Sequence, residues 1–181
     1  MKITRFRDIP KFTDIGRYHV DYPIHHLIKF LDDEIETQGL QMNPEFQRGH
    51  VWTEKQQIAY MEFLLRGRSG RDIYFNNPSW HHSVKPGAYN DYVCVDGLQR
   101  VTAIRKFVQN EIPVFGSYYH EFEDSPRIIQ DTIRVHINDL KSYEEVLTWY
   151  LEMNEGGTPH TKAEIDKVKN LLKKEQSHET K

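Results

Sequence analysis

DYVCVDGLQRVTAIRKFVQN, residues 91–110, carries the clearest structural signal in the chain. Its first part, Asp91–Val95, is an apolar run typical of a short buried strand, and Asp96-Gly97 is a common turn sequence. Leucine, valine, isoleucine and phenylalanine then recur at helical spacing up to position 108. We therefore predict a strand, a tight turn and a helix in direct succession.

A second helix and a second strand precede this unit. Thr53 and Gln56 have the spacing of a capping box, and the apolar periodicity that follows predicts a helix over Glu54–Arg66. Arg71–Asn76 is rich in strand-forming residues. We expect it to pair with Asp91–Val95 as a neighbouring strand.

The outer segments give an irregular mixture of strands and helices, which favours an α+β fold. We expect one compact domain over residues 1–181, with a small mixed sheet flanked by helices. Its motif-bearing core spans about residues 40–165, and a polar tail spans about 173–181. The remaining predictions run along the chain from the N-terminus. They are an irregular or extended leader over Met1–Tyr22, a helix over Ile24–Ile35, a loop or short strand edge over Leu40–Val51, strands over Ile112–Phe115 and Val135–Ile137, a helix over Ser142–Met153, and a C-terminal helix opened by Thr161 and Glu164.

Composition excludes several classes of protein. The 181 residues are 38% hydrophobic and 28% charged, which suits a globular domain. No run approaches the roughly 20 apolar residues of a membrane-spanning helix, and the start lacks a signal-peptide pattern, so we expect a soluble cytoplasmic protein without a membrane partner. The single cysteine, Cys94, excludes an internal disulfide and a cysteine-based zinc site. A net charge of −3 argues against binding nucleic acid by bulk charge, although a local basic groove remains compatible with it.

The turn Asp96–Arg100 is the first candidate site. The first amides of a helix lack intrahelical partners and the helix dipole favours an anion, so a phosphate fits this position. Gly97 permits a tight turn and close ligand approach, Arg100 offers charge-assisted hydrogen bonds, and Asp96 can hold a metal ion or accept a proton. In the structural alternative, Asp96 is an N-cap, Gly97 a turn residue and Arg100 a solvent-facing residue.

Three ordered segments extend this candidate. Asn43-Pro44-Glu45-Phe46-Gln47-Arg48 with Trp52, then Val95-Asp96-Gly97-Leu98-Gln99-Arg100-Val101-Thr102-Ala103, then Met153-Asn154-Glu155-Gly156-Gly157-Thr158-Pro159, resemble the ParB/sulfiredoxin-like superfamily. The resemblance is closest to its DGQQR-motif branch, known from the N-terminal domains of modification-dependent restriction enzymes and from phage proteins. The chain departs from that branch at Leu98, where a glutamine is usual.

The resemblance implies a compact α+β fold whose strand-to-helix loop binds nucleotide or nucleic-acid phosphate. It also implies ATP, or another nucleoside triphosphate, and nucleotide-borne Mg²⁺ as cofactors. The candidate catalytic residues are Asp96, Glu45 and Arg100, with Asp96 also the candidate contact for Mg²⁺. The candidate nucleotide-binding residues are Gln47, Arg48, Gly97, Gln99, Arg100, Thr102 and Asn154.

Each flanking motif also has a structural interpretation. In the first motif, an extended segment would project Glu45 and Gln47 to one side. The alternative buries Phe46 and pairs Arg48 with a surface carboxylate. In the third motif, the glycines either wrap a ligand or end one helix before the next begins.

Arginines near the end of the second helix and a following aromatic, histidine-rich connection are the candidate DNA contacts. Arginines bind backbone phosphates, and aromatic side chains stack on an exposed or flipped base. These residues are Arg66, Arg68, Arg71, Trp80, His81 and His82. The alternative is a solvated charged turn and an irregular surface loop. Protein-bound zinc is not expected, because no HExxH-type helical pair occurs.

Two classes of function follow. The first is a nucleotide-dependent phosphotransferase acting on double-stranded DNA, with Asp96 or Glu45 taking the acceptor's proton. By analogy with the hydroxymethyluridine DNA kinases of phages, its acceptor is a hydroxymethylated pyrimidine. A nucleotide hydrolase or DNA nuclease of the same fold is the alternative within the enzyme class. The second class is a non-catalytic nucleotide- or DNA-binding anti-defence module.

Overall fold

The computed structural model describes residues 2–10, 18–67, 70–80, 86–129, 131–154 and 161–179. Within them, one mixed sheet has the strand order β1-β4-β2-β3. Strand β2 is antiparallel to β3 and parallel to β4, and β4 is antiparallel to β1. The predicted pairing of β2 with β3 is thus confirmed. The strands are β1 Tyr18–Pro23, β2 Asp72–Asn76, β3 Val93–Asp96 and β4 Thr132–Asn138.

Helices cover both faces of this sheet. One core joins the first three helices to the sheet through Ile73, Phe75 and Val135, and a second core joins the last two helices to β3 through Val93 and Val95. This compact α+β architecture, with a small mixed sheet flanked by helices, confirms the predicted fold class. The helices are α1 Ile24–Gln38, α2 Glu54–Leu65, α3 Leu98–Val108, α4 Tyr143–Asn154 and α5 Lys162–Glu179.

The capping signals in the sequence mark real helix starts. Thr53 and Gln56 form a reciprocal capping box at the start of α2. Thr161 and Glu164 exchange the same kind of hydrogen bonds before α5. Such boxes satisfy the free amides of a first helical turn, which explains why these helices begin where the sequence predicts.

Three predictions about the outer segments differ from the structure. The leader ends in an edge strand, because the backbone of Tyr18–Pro23 pairs with β4 although its exposed side chains are polar. Residues 112–115 form a turn bridged between Val114 and Ser117, in which Ile112 and Val114 supply core contacts without a strand. The polar segment 173–179 continues α5.

None of the helices in the described ranges is long and apolar enough to cross a bilayer.

Candidate functional site

The turn between β3 and α3 is shaped by close packing. Gly97 has φ 124°, and a β-carbon placed there would lie 2.7 Å from Cγ2 of Ile73. A side chain at this position would therefore be strained and would clash with the core. Gly97 is the N-cap of α3, so Asp96 does not cap the helix as the structural alternative proposed. The amides of Gln99 and Arg100, in the first turn, have no acceptor among the described residues.

A small cavity lies against this turn and brings the three sequence motifs together. We call it the motif cavity; its volume is about 120 Å³. Typical ligand sites measure about 300–1,000 Å³, so the motif cavity has the size for a phosphate group and not for an entire nucleotide. It is lined by Arg48, Trp52, Asp96, Gly97, Gln99, Arg100, Met153 and Asn154.

Two arginines give the motif cavity a net positive charge. Arg100 forms an ion pair with Asp96, but its Nε is buried without a hydrogen-bond partner within the described part of the chain. Burial disfavours the Arg100 charge, yet the neighbouring Asp96 outweighs it and raises the pKa of Arg100. Arg48 is half-buried and forms no ion pair with any described residue. Both arginines can therefore bind an anion by donating hydrogen bonds to it.

The two motif glutamines hold the first motif against the strand-to-helix unit. Gln99 Oε1 accepts hydrogen bonds from the backbone of Val51 (3.0 Å) and Trp52 (3.1 Å), and Gln99 Nε2 donates to the Gly49 carbonyl at 2.7 Å. Gln47 Nε2 donates to the carbonyl of Val95 at 2.9 Å. These bonds use both ends of the Gln99 amide. Its observed role is therefore to position the segment that carries Arg48.

Glu45 lies away from the motif cavity. The Gln47 amide donates to the Pro44 carbonyl at 2.9 Å, so this segment is a turn and Glu45 and Gln47 diverge. Glu45 Oε1 instead accepts a hydrogen bond from the Tyr143 hydroxyl at 2.7 Å, in a separate pocket of about 420 Å³. Burial, reinforced by this carboxylate, raises the pKa of Tyr143. The structure therefore does not place Glu45 with Asp96.

Other motif residues line the cavity or lie behind it. The Asn154 side chain lines it and donates to the Tyr150 carbonyl at 2.7 Å, which fixes its orientation at the end of α4. The Thr102 hydroxyl donates to the Leu98 carbonyl at 2.8 Å and does not line the cavity. The rest of the third motif, from Glu155 to Pro159, lies outside the described residues.

Sequence reasoning did not assign Trp52 and Met153 to the site, although both line it. Both belong to motifs that the sequence singles out, so their place in those motifs is the signal that could have identified them. The described residues contain no group of three or more histidine, cysteine or carboxylate side chains suited to a metal ion. Cys94 is fully buried, and burial raises the pKa of its thiol.

Three of the six candidate DNA contacts, Arg66, Arg71 and Trp80, lie among the described residues. Arg71 pairs with Asp131 at 2.6 Å next to the start of β2, and the Arg66 guanidinium lies 5.1 Å from the centre of the Phe115 ring. Trp80 follows the other end of β2 and packs against Tyr18, with 5.5 Å between ring centres. Arg68, His81 and His82 lie outside the described residues.

Comparison with protein families matches residues 27–133 of the chain to the GmrSD restriction endonuclease, N-terminal domain. The match covers more than half of the 181 residues and includes the first two motifs, but ends before the third. No curated protein and no solved structure matches the chain. The matched region contains four of the motif-cavity residues that carry charge or shape the turn: Arg48, Asp96, Gly97 and Arg100. The chain belongs to the family of GmrSD restriction endonuclease N-terminal domains.

Proposed function

We propose that the chain is a nucleotide-dependent enzyme that acts on DNA and transfers a phosphoryl group, with the motif cavity as its phosphate-binding site. Membership in a restriction endonuclease family supports DNA as the partner. The observation that carries the proposal is the pair of arginines in the motif cavity: among the described residues Arg48 has no ion-pair partner, and the buried Nε of Arg100 has no hydrogen-bond partner. Buried polar groups are normally satisfied, so the Arg100 Nε favours an anionic ligand, and the half-buried Arg48 adds a second positive charge beside it.

The residues of the cavity suit a phosphate group borne by a nucleotide. Arg48 and the first-turn amides of α3 can bind phosphate oxygens, while Arg100 neutralises a further charge. Asp96 suits Mg²⁺, because this ion uses one or two protein carboxylates together with phosphate oxygens and water. The volume of about 120 Å³ leaves the sugar and base outside the cavity. Bound Mg²⁺ and ATP would supply charge neutralisation and the transferable phosphoryl group.

Asp96 is the better candidate for the acceptor's proton. It lines the motif cavity, whereas Glu45 lies in the separate pocket beside Tyr143. A general base must come within hydrogen-bonding distance of the proton that it takes. We therefore assign proton acceptance to Asp96, and positioning of the phosphate to Arg48 and Arg100. A hydroxymethylated pyrimidine in DNA is the acceptor that we propose.

The second candidate function is hydrolysis, of the nucleotide or of DNA. The family description as a restriction endonuclease favours it. The same cavity would then serve with water as the acceptor. The third function, a non-catalytic nucleotide- or DNA-binding module, would use the cavity for binding alone.

One labelling experiment separates the phosphotransferase and the nucleotide hydrolase from the functions that do not consume the nucleotide. Purified protein is incubated with Mg²⁺, γ-labelled ATP and panels of DNA, unmodified and carrying hydroxymethylated pyrimidines. Label on DNA supports the phosphotransferase, and label released as free phosphate supports the hydrolase. Label that stays on ATP would contradict both the phosphotransferase and the nucleotide hydrolase.

Two variants link the result to the cavity. Asp96→Asn should abolish transfer while the protein still binds ATP. Lys29→Ala, which removes an exposed charge on α1, should leave transfer unchanged. Full transfer by Asp96→Asn would contradict the role assigned to Asp96.

A further inference from the structure

Another cavity lies at the C-terminal ends of α2 and α3, where Leu65 and Phe107 line it. We call it the aromatic pocket. Its volume is about 360 Å³, within the range of small-molecule sites. Its walls also include three aromatic residues and a carboxylate: Phe115, Tyr119, Phe122 and Asp124.

The rings form a cage with a buried base and an open rim. Phe107 is buried and meets Tyr119 edge to face, with ring centres 5.3 Å apart and planes at 89°. It meets Phe122 in the same way at 6.0 Å and 88°. Phe115 and Phe122 are 46% and 42% exposed at the rim. Aromatic rings of different orientation therefore line one pocket that is open to solvent.

The backbone of Phe115 adopts an unfavourable conformation. Its backbone has φ 51°, a left-handed conformation that is unusual for a bulky residue. The Arg66 guanidinium lies 5.1 Å from the centre of this ring, within the range of a cation–π contact. Arg66 therefore already lies against the Phe115 ring, and the other rings of the pocket remain for a ligand.

The charges of the pocket also favour a cation. Among the described residues that line it, the charged side chains are two carboxylates, Asp124 and Asp131, and none is basic. Asp131 is paired with Arg71 at 2.6 Å, whereas Asp124 has no ion pair or hydrogen bond within the described ranges. The C-terminal ends of α2 and α3 add partial negative charge, because the helix dipole is negative there.

We propose that the aromatic pocket binds a small organic cation whose charged group is a quaternary or methylated ammonium. Such a group is attracted to aromatic faces and needs no hydrogen-bond acceptor, which matches a cage of rings beside one free carboxylate. A nucleic-acid phosphate is disfavoured, since the two carboxylates would repel it. The proposal concerns a different cavity from the motif cavity and does not depend on the proposed enzymatic function.

The test compares two probes of the same shape and different charge. Choline and its uncharged isostere 3,3-dimethylbutan-1-ol are titrated into the full chain, and the aromatic-region signals are followed by NMR. Choline should bind at least about tenfold more tightly than the neutral isostere, because the charge supplies the attraction to the rings. Absence of choline binding, or equal binding of the two probes, would overturn the proposal.

Variants assign the binding to the pocket. Asp124→Asn and Phe122→Leu should each weaken choline binding about fivefold or more, because each removes one attractive group. Asp33→Asn, which removes an exposed carboxylate of α1, is the matched control and should leave binding unchanged. Circular dichroism confirms the fold of each variant. Choline binding that neither pocket variant weakens would overturn the location.

An extruded nucleobase is the competing occupant of an aromatic cavity. A short single-stranded oligonucleotide is therefore titrated under the same conditions. If the signals of Phe115 and Phe122 shift with the oligonucleotide and not with choline, the pocket binds a nucleobase, and the proposal of a cation is overturned. Shifts with choline and not with the oligonucleotide would support the cation.

Discussion

Gly97 packs against Ile73 so closely that a β-carbon on the glycine would lie 2.7 Å from Cγ2 of the isoleucine. The contact joins the turn between β3 and α3 to the second residue of β2, and Ile73 is fully buried. The glycine therefore fixes the distance between the start of α3 and the sheet. The sequence predicted that Gly97 permits a tight turn and close ligand approach; its φ of 124° agrees with the turn, and the structure adds close packing against Ile73.

The first prediction follows from this contact. Gly97→Ala should lower the free energy of unfolding by about 2–4 kcal/mol, since it combines an unfavourable φ with an overpacked core. Urea unfolding followed by circular dichroism measures the change. Gly116→Ala is the matched control, because Gly116 has φ 83° with nothing near its missing β-carbon. Equal losses in the two variants would contradict a special role for the contact with Ile73.

The second prediction concerns Gln99. Gln99→Ala leaves the Val51 and Trp52 amides and the Gly49 carbonyl without their partner, so unfolding should become easier by about 1–3 kcal/mol. The loosened segment carries Arg48, so ATP binding should weaken as well. Thermal unfolding and calorimetric titration measure the two effects. A Gln99→Ala variant as stable as the wild type would contradict the prediction. The control is Gln38→Ala, at the exposed end of α1, which should change neither stability nor ATP binding.

The third prediction is a pH dependence at the edge of the sheet. Arg134 donates two hydrogen bonds to Asp21, at 2.8 and 3.0 Å, which lowers the pKa of Asp21 from its ordinary value of 3.8. A lowered pKa in the folded state gives stability that is present above the unfolded pKa and is lost as the pH falls through the folded value. Asp21→Asn should therefore be less stable than the wild type at pH 7, and this difference should shrink as the pH is lowered from 7 to 2.

The loss at pH 7 should be small, because the pair is exposed and screened by salt. Urea unfolding at both pH values, with and without 1 M salt, measures it. A difference between variant and wild type that grows as the pH falls would contradict the sign of this linkage.

The fourth prediction concerns the thiol of Cys94. Cys94 is fully buried in β3, and burial raises its pKa, so little reactive thiolate forms. A thiol reagent should label the native protein slowly and the urea-unfolded protein quickly. Rapid labelling of the native protein at pH 8 would show that β3 opens readily or that the thiol is accessible.

Periodicity and capping predicted much of the fold because they act locally. Thr53 and Gln56 satisfy neighbouring amides, so their spacing alone marks the start of α2. Strand β1 escaped this reasoning, since His19 and Asp21 are exposed and only the pairing with β4 defines an edge strand. Residues 112–115 were predicted as a strand because they are rich in apolar residues. Ile112 and Val114 are buried in a turn instead, and an apolar pattern alone does not distinguish a buried turn from a buried strand.

The site depends on contacts that spacing does not encode. The resemblance placed Arg48, Asp96 and Asn154 together, and they line one cavity. Glu45 was expected on the same side as Gln47, but the turn bond from Gln47 to Pro44 directs it elsewhere. The aromatic pocket joins rings from residues 107 to 122 with the ends of two helices, a tertiary arrangement that local periodicity does not reveal.

The central claim is that the motif cavity binds a nucleotide phosphate through Arg48 and Arg100. Calorimetric titration of ATP with Mg²⁺ into the wild type, Arg48→Ala, Arg100→Ala and Lys29→Ala tests it most directly. We expect the wild type and Lys29→Ala to bind equally. Each arginine variant should lose about 1.5–3 kcal/mol, roughly 10- to 150-fold in affinity, the scale of a hydrogen bond to a charged group. Unchanged affinity in both arginine variants, or no binding by the wild type, would contradict the claim.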